Sequence, residues 1–400
     1  MKKILSFSLF LMIGLVLSQV LPGVLGSNYE SLEVITGALL YVALSFIMIN
    51  VGREFVLDKT KWKSYVKDYF VAMATAALPW IFVAFYFIFI ILPVEYNTDW
   101  EAWKESLLLS RFAAPTSAGI LFTMLAAIGL KSSWIYKKIQ VLAIFDDLDT
   151  ILLMIPLQII MIGMKWQIGV ILLVVTLSLW LGWKHMSKYN LKQDWKHILF
   201  YSIIVVAITI SIDHYTKLLF GPEGAIHIEV LLPAFVLGMM MKSIHIDSKI
   251  ERGVSTGISL IFMLLVGLSM PHFIGSTIMT EASMESGSIM GEQPMLSWGN
   301  IAMHVVFITI LSNIGKMVPL LFYRDRLIEE RLALSIGMFT RGEVGAGIIF
   351  IALGYNIGGP ALIISVLTMV LNLILTGIFV VWVKKLSLRA SKKLETAKAV

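Results

Sequence analysis

Residues 141–150 read VLAIFDDLDT and sit inside an apolar run from about 139 to 162. Asp146, Asp147 and Asp149 thus fall in a segment long enough to cross a bilayer as a helix. Such charges cost at least about 2.5–3.5 kcal/mol each on insertion scales and are functional by default. Adjacent helical residues point about 100° apart, so Asp146 and Asp147 face different neighbours. One can meet a fixed cation while the other faces a cavity. Asp149 lies three residues after Asp146 and shares its face. Like charges this close cannot all ionise cheaply, so one of them holds a proton or a cation near neutral pH. A buried ion-pair cluster that only fixes helix packing is the plainer reading.

The rest of the chain has the same character. Of its 400 residues 58% are hydrophobic and 14% charged, against about 25% charged in soluble domains. Twelve apolar runs are readable, at about 4–21, 34–51, 70–93, 105–129, 139–162, 167–183, 196–212, 228–241, 255–274, 299–323, 331–354 and 360–383. Trp166, Trp183, Trp195, Trp298, Tyr323 and Trp382 stand near their ends, as interfaces favour. With the N-terminus cytoplasmic, 26 of the 32 Lys and Arg fall in cytoplasmic segments and only Lys104, Lys165 and Lys217 outside. Losing one interior span would reverse every later loop and destroy that asymmetry. The net charge of +6 therefore reflects topology and not nucleic-acid binding, and the Lys59, Lys61, Lys63, Lys67 run is a cytoplasmic flank. Both termini are expected in the cytoplasm of a cell inner-membrane protein. The absence of cysteine excludes thiol chemistry and disulfides. Met1-Lys2-Lys3 and the following run could form a signal peptide, but no clean small-x-small site follows; a retained first helix is expected.

The sequence shows no phosphate-binding loop, and no soluble domain is expected, so ATP bound by this chain is not expected to drive it and no cofactor is called for. Residues 95–106, EYNTDWEAWKES, read as an interfacial acidic outer helix or a plain loop. Within spans lie Arg111, Lys316 and Arg341 against Asp146, Asp147, Asp149 and Glu343, a net negative charge that needs a proton or a bound cation. Two spans carry helix breakers. Residues 111–119, RFAAPTSAG, combine Pro115 with Thr116 and Ser117; residues 340–347, TRGEVGAG, do the same with glycines. Interrupted helices at corresponding positions of two halves mark a transporter's ion site. Spans 3–5 and 10–12 would be the two inverted units, which places Asn372 opposite Asp147. Lys316 is too far inside 299–323 to reach water, and pairing with an aspartate is its cheapest account. A retinal Schiff base is the alternative, disfavoured by twelve spans and broken helices.

These features together resemble the second cation:proton antiporter family: the paired aspartates, the Pro-Thr-Ser break, Gly315-Lys316, Arg341-Gly342-Glu343, Ala234-Phe235-Val236-Leu237-Gly238 and Val266-Gly267-Leu268. The resemblance runs in order over nearly the whole chain. It implies an all-α polytopic fold of about twelve transmembrane helices with inverted repeats and two broken, crossing helices, in one transporter domain over 1–400. The core would span about 70–162 and 299–383, with the remaining helices serving dimerisation or scaffolding in a homodimer. It implies elevator-like exchange of Na⁺, or Li⁺ or K⁺, for protons. Asp147 would be the principal ion and proton carboxylate, holding the transported Na⁺. Asp146 would pair with Lys316, Thr116 and Ser117 would lie at the crossing, and Arg341 and Glu343 would tune the field. Arg111, Asp149 and Asn372 would be accessory; Asp149 departs from the family pattern. With 17 residues after Val383, the nucleotide-binding regulatory domain of the potassium-efflux branch is not expected.

Three other classes remain open from the residues. An intramembrane aspartyl protease needs carboxylates on two facing helices, whereas these lie on one turn, so an enzyme is not expected. A sodium-coupled organic-anion symporter of the same fold would need a basic pocket, for which Arg111 is the spare residue. A cation channel is the third.

Overall fold

The computed structural model describes residues 2–26, 29–54, 62–130, 133–162, 166–221, 228, 230–242, 249–269, 288–355 and 357–399. Among these the chain is helical, apart from turns and one isolated bridge between Tyr189 and Met241. The helices are α1 (Lys2–Leu25), α2 (Tyr29–Glu54), α3 (Trp62–Tyr86), α4 (Trp100–Ser110), α5 (Ala118–Ala127), α6 (Trp134–Ile162), α7 (Trp166–Lys184), α8 (Trp195–Phe220), α9 (Leu231–Met240), α10 (Lys249–Leu268), α11 (Trp298–Gly315), α12 (Val318–Phe322), α13 (Ile328–Gly337), α14 (Glu343–Gly354) and α15 (Gly359–Ala399). Seven continuous or broken helical segments among the described residues are long and apolar enough to cross a membrane. The chain is thus a multi-pass membrane protein. Its outward side chains fit lipid: Phe200 on α8 and Leu173 on α7 are 57% and 65% exposed, an arrangement water would penalise.

The chain divides into two compact units. One holds residues 25–62 and 158–266. Its close packing is that of α2 on α9. Gly52 faces the backbone of Phe235 and Gly238 faces the backbone of Ile49, each so near that a Cβ would occupy the other helix. Small residues permit such approach where lipid offers no hydrophobic drive.

The other unit holds residues 1–24, 63–157 and 267–400. In it one order of elements occurs twice: a long helix, a broken helix and a continuous helix. The first set is α3, α4–α5 and α6; the second is α11–α12, α13–α14 and α15. The first break follows from Pro115, which has no N–H and whose ring would strike the carbonyl four residues back. The helix tightens into a 3₁₀ turn at Arg111–Ala113, where Ala114 N donates to Arg111 O at 3.0 Å. Ser117 then adopts an extended backbone and caps α5, its hydroxyl accepting from Ile120 N at 3.4 Å. The second break has no proline. α13 ends in a tight turn in which Met338 N donates to Ser335 O at 3.0 Å and Phe339 N to Ile336 O at 3.1 Å.

Two elements differ from their expected bounds. The span expected from 105 begins at Trp100, because Asp99 caps α4 by accepting from Glu101 N at 2.8 Å. The segment 95–106, read as an interfacial helix or a plain loop, is therefore partly the first half of the broken span. The last span, expected to end near 383, runs on to Ala399, since residues 384–399 contain neither glycine nor proline and are mostly strong helix formers. Lys393 there pairs with Glu329 at the start of α13.

Candidate functional site

The two breaks cross backbone to backbone. Ser117 N donates to Thr340 O at 3.0 Å, and Thr116 Oγ1 donates to Met338 O at 3.1 Å. Gly342 is required here: a Cβ would lie 2.7 Å from Ser117 Oγ and 2.9 Å from Ser117 Cβ. Each break brings the carbonyl end of one half-helix and the amide end of the next to the crossing, so opposite partial charges meet there.

Onto this crossing α6 delivers Asp146. Its carboxylate is fully buried and accepts Thr116 N at 2.7 Å on Oδ2. Lys316, also fully buried, donates to Oδ1 at 3.1 Å and Oδ2 at 3.0 Å, and to Thr116 Oγ1 at 3.0 Å. One ammonium thus joins the helix that carries the carboxylates to the first break. Lys316 occupies the C-cap of α11, its amide donating to Ser312 O and Asn313 O. The tenth span is therefore itself interrupted, between α11 and α12. Gly315 makes the placement possible, since a Cβ would stand 2.6 Å from Pro79 N in α3.

The other expected residues divide. Arg341 is buried, and its Nη1 donates to Met338 O at 3.4 Å and Phe339 O at 3.1 Å; it caps its own break and pairs with no described carboxylate. Arg111 is fully buried, donates through Nη2 to the carbonyls of Asp149 at 3.1 Å and Thr150 at 3.2 Å, and lies under the Trp80 ring at 4.7 Å. Asp149 is 1% exposed and interacts with the Tyr69 hydroxyl of α3. Asn372 is buried on α15, its Nδ2 donating to Thr368 O at 3.0 Å. No bond joins Asn372 to the crossing among the described contacts. Asp147 and Glu343 lie on α6 and α14, but their side chains are outside the described residues. Among the described residues no three His, Cys, Asp or Glu side chains form a metal-binding group.

Some participants carried no sequence signal. The Thr116 amide is a backbone donor, and Tyr69 and Trp80 are ordinary aromatics in an apolar run. Asp68 sat within what read as a basic flank. It is buried, accepting Lys138 Nζ at 2.8 Å and the Tyr323 hydroxyl at 2.7 Å. A lone acid after a run of lysines was the available clue.

No protein-family model matches the sequence, and no curated protein matches it. Among solved structures, that of the sodium proton antiporter MjNhaP1 from Methanocaldococcus jannaschii at pH 8 is similar. It superposes with a TM-score of 0.57 at 14% identity, over 96% of this chain and 92% of that one. At this identity the likeness is one of fold, and it spans both chains almost completely. The chain has the fold of a sodium/proton antiporter.

Proposed function

We propose that the chain is a secondary active antiporter that exchanges a monovalent cation, Na⁺ in the first instance, for protons by alternating access. The observation that carries this reading is the Asp146–Lys316 pair, wholly buried and hung on the amide of a broken helix. Burying two charges costs several kcal/mol per ion, and both members of this pair can exchange protons. Asp147 stands next to Asp146 on α6 and is the carboxylate assigned to the transported cation. Thr116, Ser117 and the carbonyls of the two breaks supply further oxygens, which monovalent cations prefer. Arg341 and Glu343 shape the field around them. The similar structure is that of a sodium proton antiporter, which supports the same reading.

In this reading the unit with the broken helices is the transport core and the other unit is the scaffold through which two chains pair as a homodimer. The protein sits in the cell inner membrane with both termini cytoplasmic and serves pH homeostasis. The exchange moves two protons per cation, because Asp147 and the Asp146–Lys316 pair together hold more protons than one cation replaces. The test is reconstitution in vesicles holding a pH-sensitive dye. Added Na⁺ should drive proton release in the wild type and not in Asp147→Asn. An Asp147→Asn protein with undiminished sodium-driven flux, or counterflow of an organic anion in place of protons, would overturn the reading. Parallel Li⁺ and K⁺ pulses rank the cations.

A further inference from the structure

Arg111 has no part in the exchange as described, yet it is among the largest fully buried side chains of the protein. Its Nη2 is used twice, on the carbonyls of Asp149 and Thr150. Among the described residues its Nε and Nη1 have no hydrogen-bond partner, and neither has Asp149 Oδ2. A buried guanidinium with two idle donors and a buried carboxylate with an idle oxygen are each costly alone. Arg111 Nη2 stands 3.1 Å from the Asp149 carbonyl, which puts the two charges within electrostatic reach, although Asp146 acts on Arg111 more strongly than Asp149 does.

Among the described residues four groups act on Asp149. Asp146 comes from its own helix, Arg111 from the first break, Lys316 from the end of α11, and the Tyr69 hydroxyl from α3. Lys316 is already closed on Asp146. Arg111 differs from Lys316 in kind: a guanidinium keeps its proton throughout the physiological range. Its charge is a constant of the site, held in place by two carbonyls of α6 and by the Trp80 face. Thr150 extends the link, because its hydroxyl donates to Asp146 O at 2.9 Å.

We propose that Arg111 and Asp149 form a second charge pair that does not exchange ions and whose balance sets the cation affinity of the site. Arg111 is here a positioning residue and a fixed positive charge. It opposes cation entry at the neighbouring carboxylates, and Asp149 offsets that opposition. The inference rests on the exchange reading and adds its affinity control. Truncating one member should shift affinity one way, truncating the other should shift it the opposite way, and truncating both should nearly restore it.

The experiment compares the wild type, Arg111→Gln, Asp149→Asn and the double variant in vesicles at fixed pH on both sides. The apparent KM for Na⁺ is read from proton flux, and the Na⁺ dependence of the melting temperature in detergent gives binding without transport. Arg111→Gln should lower the sodium midpoint about tenfold and Asp149→Asn should raise it about tenfold, the scale of one partly screened charge. The double variant should return to within about threefold of the wild type. Arg111→Lys keeps the charge, so it should hold the wild-type midpoint even where it melts lower. Midpoints that shift in the same direction in both single variants, or stay put while only rate and melting fall, overturn the pair and leave exchange intact. A wild type that neither exchanges nor binds sodium removes both proposals.

Discussion

Thr116 N reaches Asp146 Oδ2 at 2.7 Å, closer than either bond that Lys316 makes to the same carboxylate, at 3.0 and 3.1 Å. The carboxylate is held first by the backbone of a broken helix and second by the lysine. Removing the ammonium leaves the geometry anchored and the charge uncompensated.

Lys316→Ala should therefore destabilise the protein in detergent by roughly 3–5 kcal/mol, the cost of a buried carboxylate stripped of its partner. Adding Asp146→Asn should recover part of that loss, since the amide oxygen still accepts from Thr116 N and carries no charge. Melting curves of the three proteins decide it. A double variant that melts no higher than Lys316→Ala would refute the pairing as the source of the cost.

Two glycines make contrasting predictions. A Cβ on Gly315 meets backbone atoms of Pro79 at 2.6 and 2.8 Å, and backbone cannot swing aside. Gly315→Ala should push α11 off α3 and displace the adjacent Lys316, lowering stability by about 1–3 kcal/mol and sodium-driven flux with it. A Cβ on Gly342 meets the side chains of Ser117 and Ile120. Gly342→Ala should be harmful alone and partly rescued by Ser117→Gly, whereas no substitution at Pro79 removes the backbone atoms that Gly315→Ala meets. Equal rescue at both sites would contradict this contrast.

If two protons exchange for one cation, one net charge moves per cycle. The membrane potential contributes about 2.3 kcal/mol per charge per 100 mV, which sustains a roughly 40-fold cation gradient at about 1.4 kcal/mol per tenfold. Sodium-driven proton flux in vesicles clamped with potassium and valinomycin should then follow the imposed voltage. Indifference to voltage would fix the exchange as electroneutral.

Glu329 offers a pH test away from the crossing. Its hydrogen bond to Lys393 holds its carboxyl below the ordinary value of 4.5. A depressed carboxyl contributes stability that is present above the unfolded value and is lost as pH falls through the folded one. Amides near residue 393 should lose protection against deuterium exchange, measured relative to their intrinsic rates, below about pH 4.5, and Glu329→Gln should show that loss of protection at neutral pH too. Lys393 is largely exposed while Glu329 is mostly covered, and a pair with one member in solvent contributes little, so the global melting temperature should change only slightly.

Much of this architecture was legible before any coordinates. Asp146 and Lys316 betrayed themselves because charge in an apolar run has few cheap partners, and Pro115 betrayed the first break because a missing N–H must end a hydrogen-bond ladder. The second break was readable from Gly342 and its neighbours, though not that Arg341 spends its hydrogen bonds on the carbonyls of its own turn. The interruption after α11 was hidden, since Gly315-Lys316-Met317 is tolerable within a helix until Pro79 of α3 presses on it. Asp68 was obscured by its lysine neighbours, and Tyr69 and Trp80 by their apolar surroundings. The contribution of the Thr116 amide has no letter in the sequence at all.

The bond from Ser117 N to Thr340 O carries that last point further. Both its atoms belong to the main chain, so at position 117 every amino acid but proline can donate it and at position 340 every one can accept it. Descent can rewrite the letters on either side of such a joint without undoing it. An architecture pinned in this way can outlast the vocabulary by which kinship between chains is usually detected.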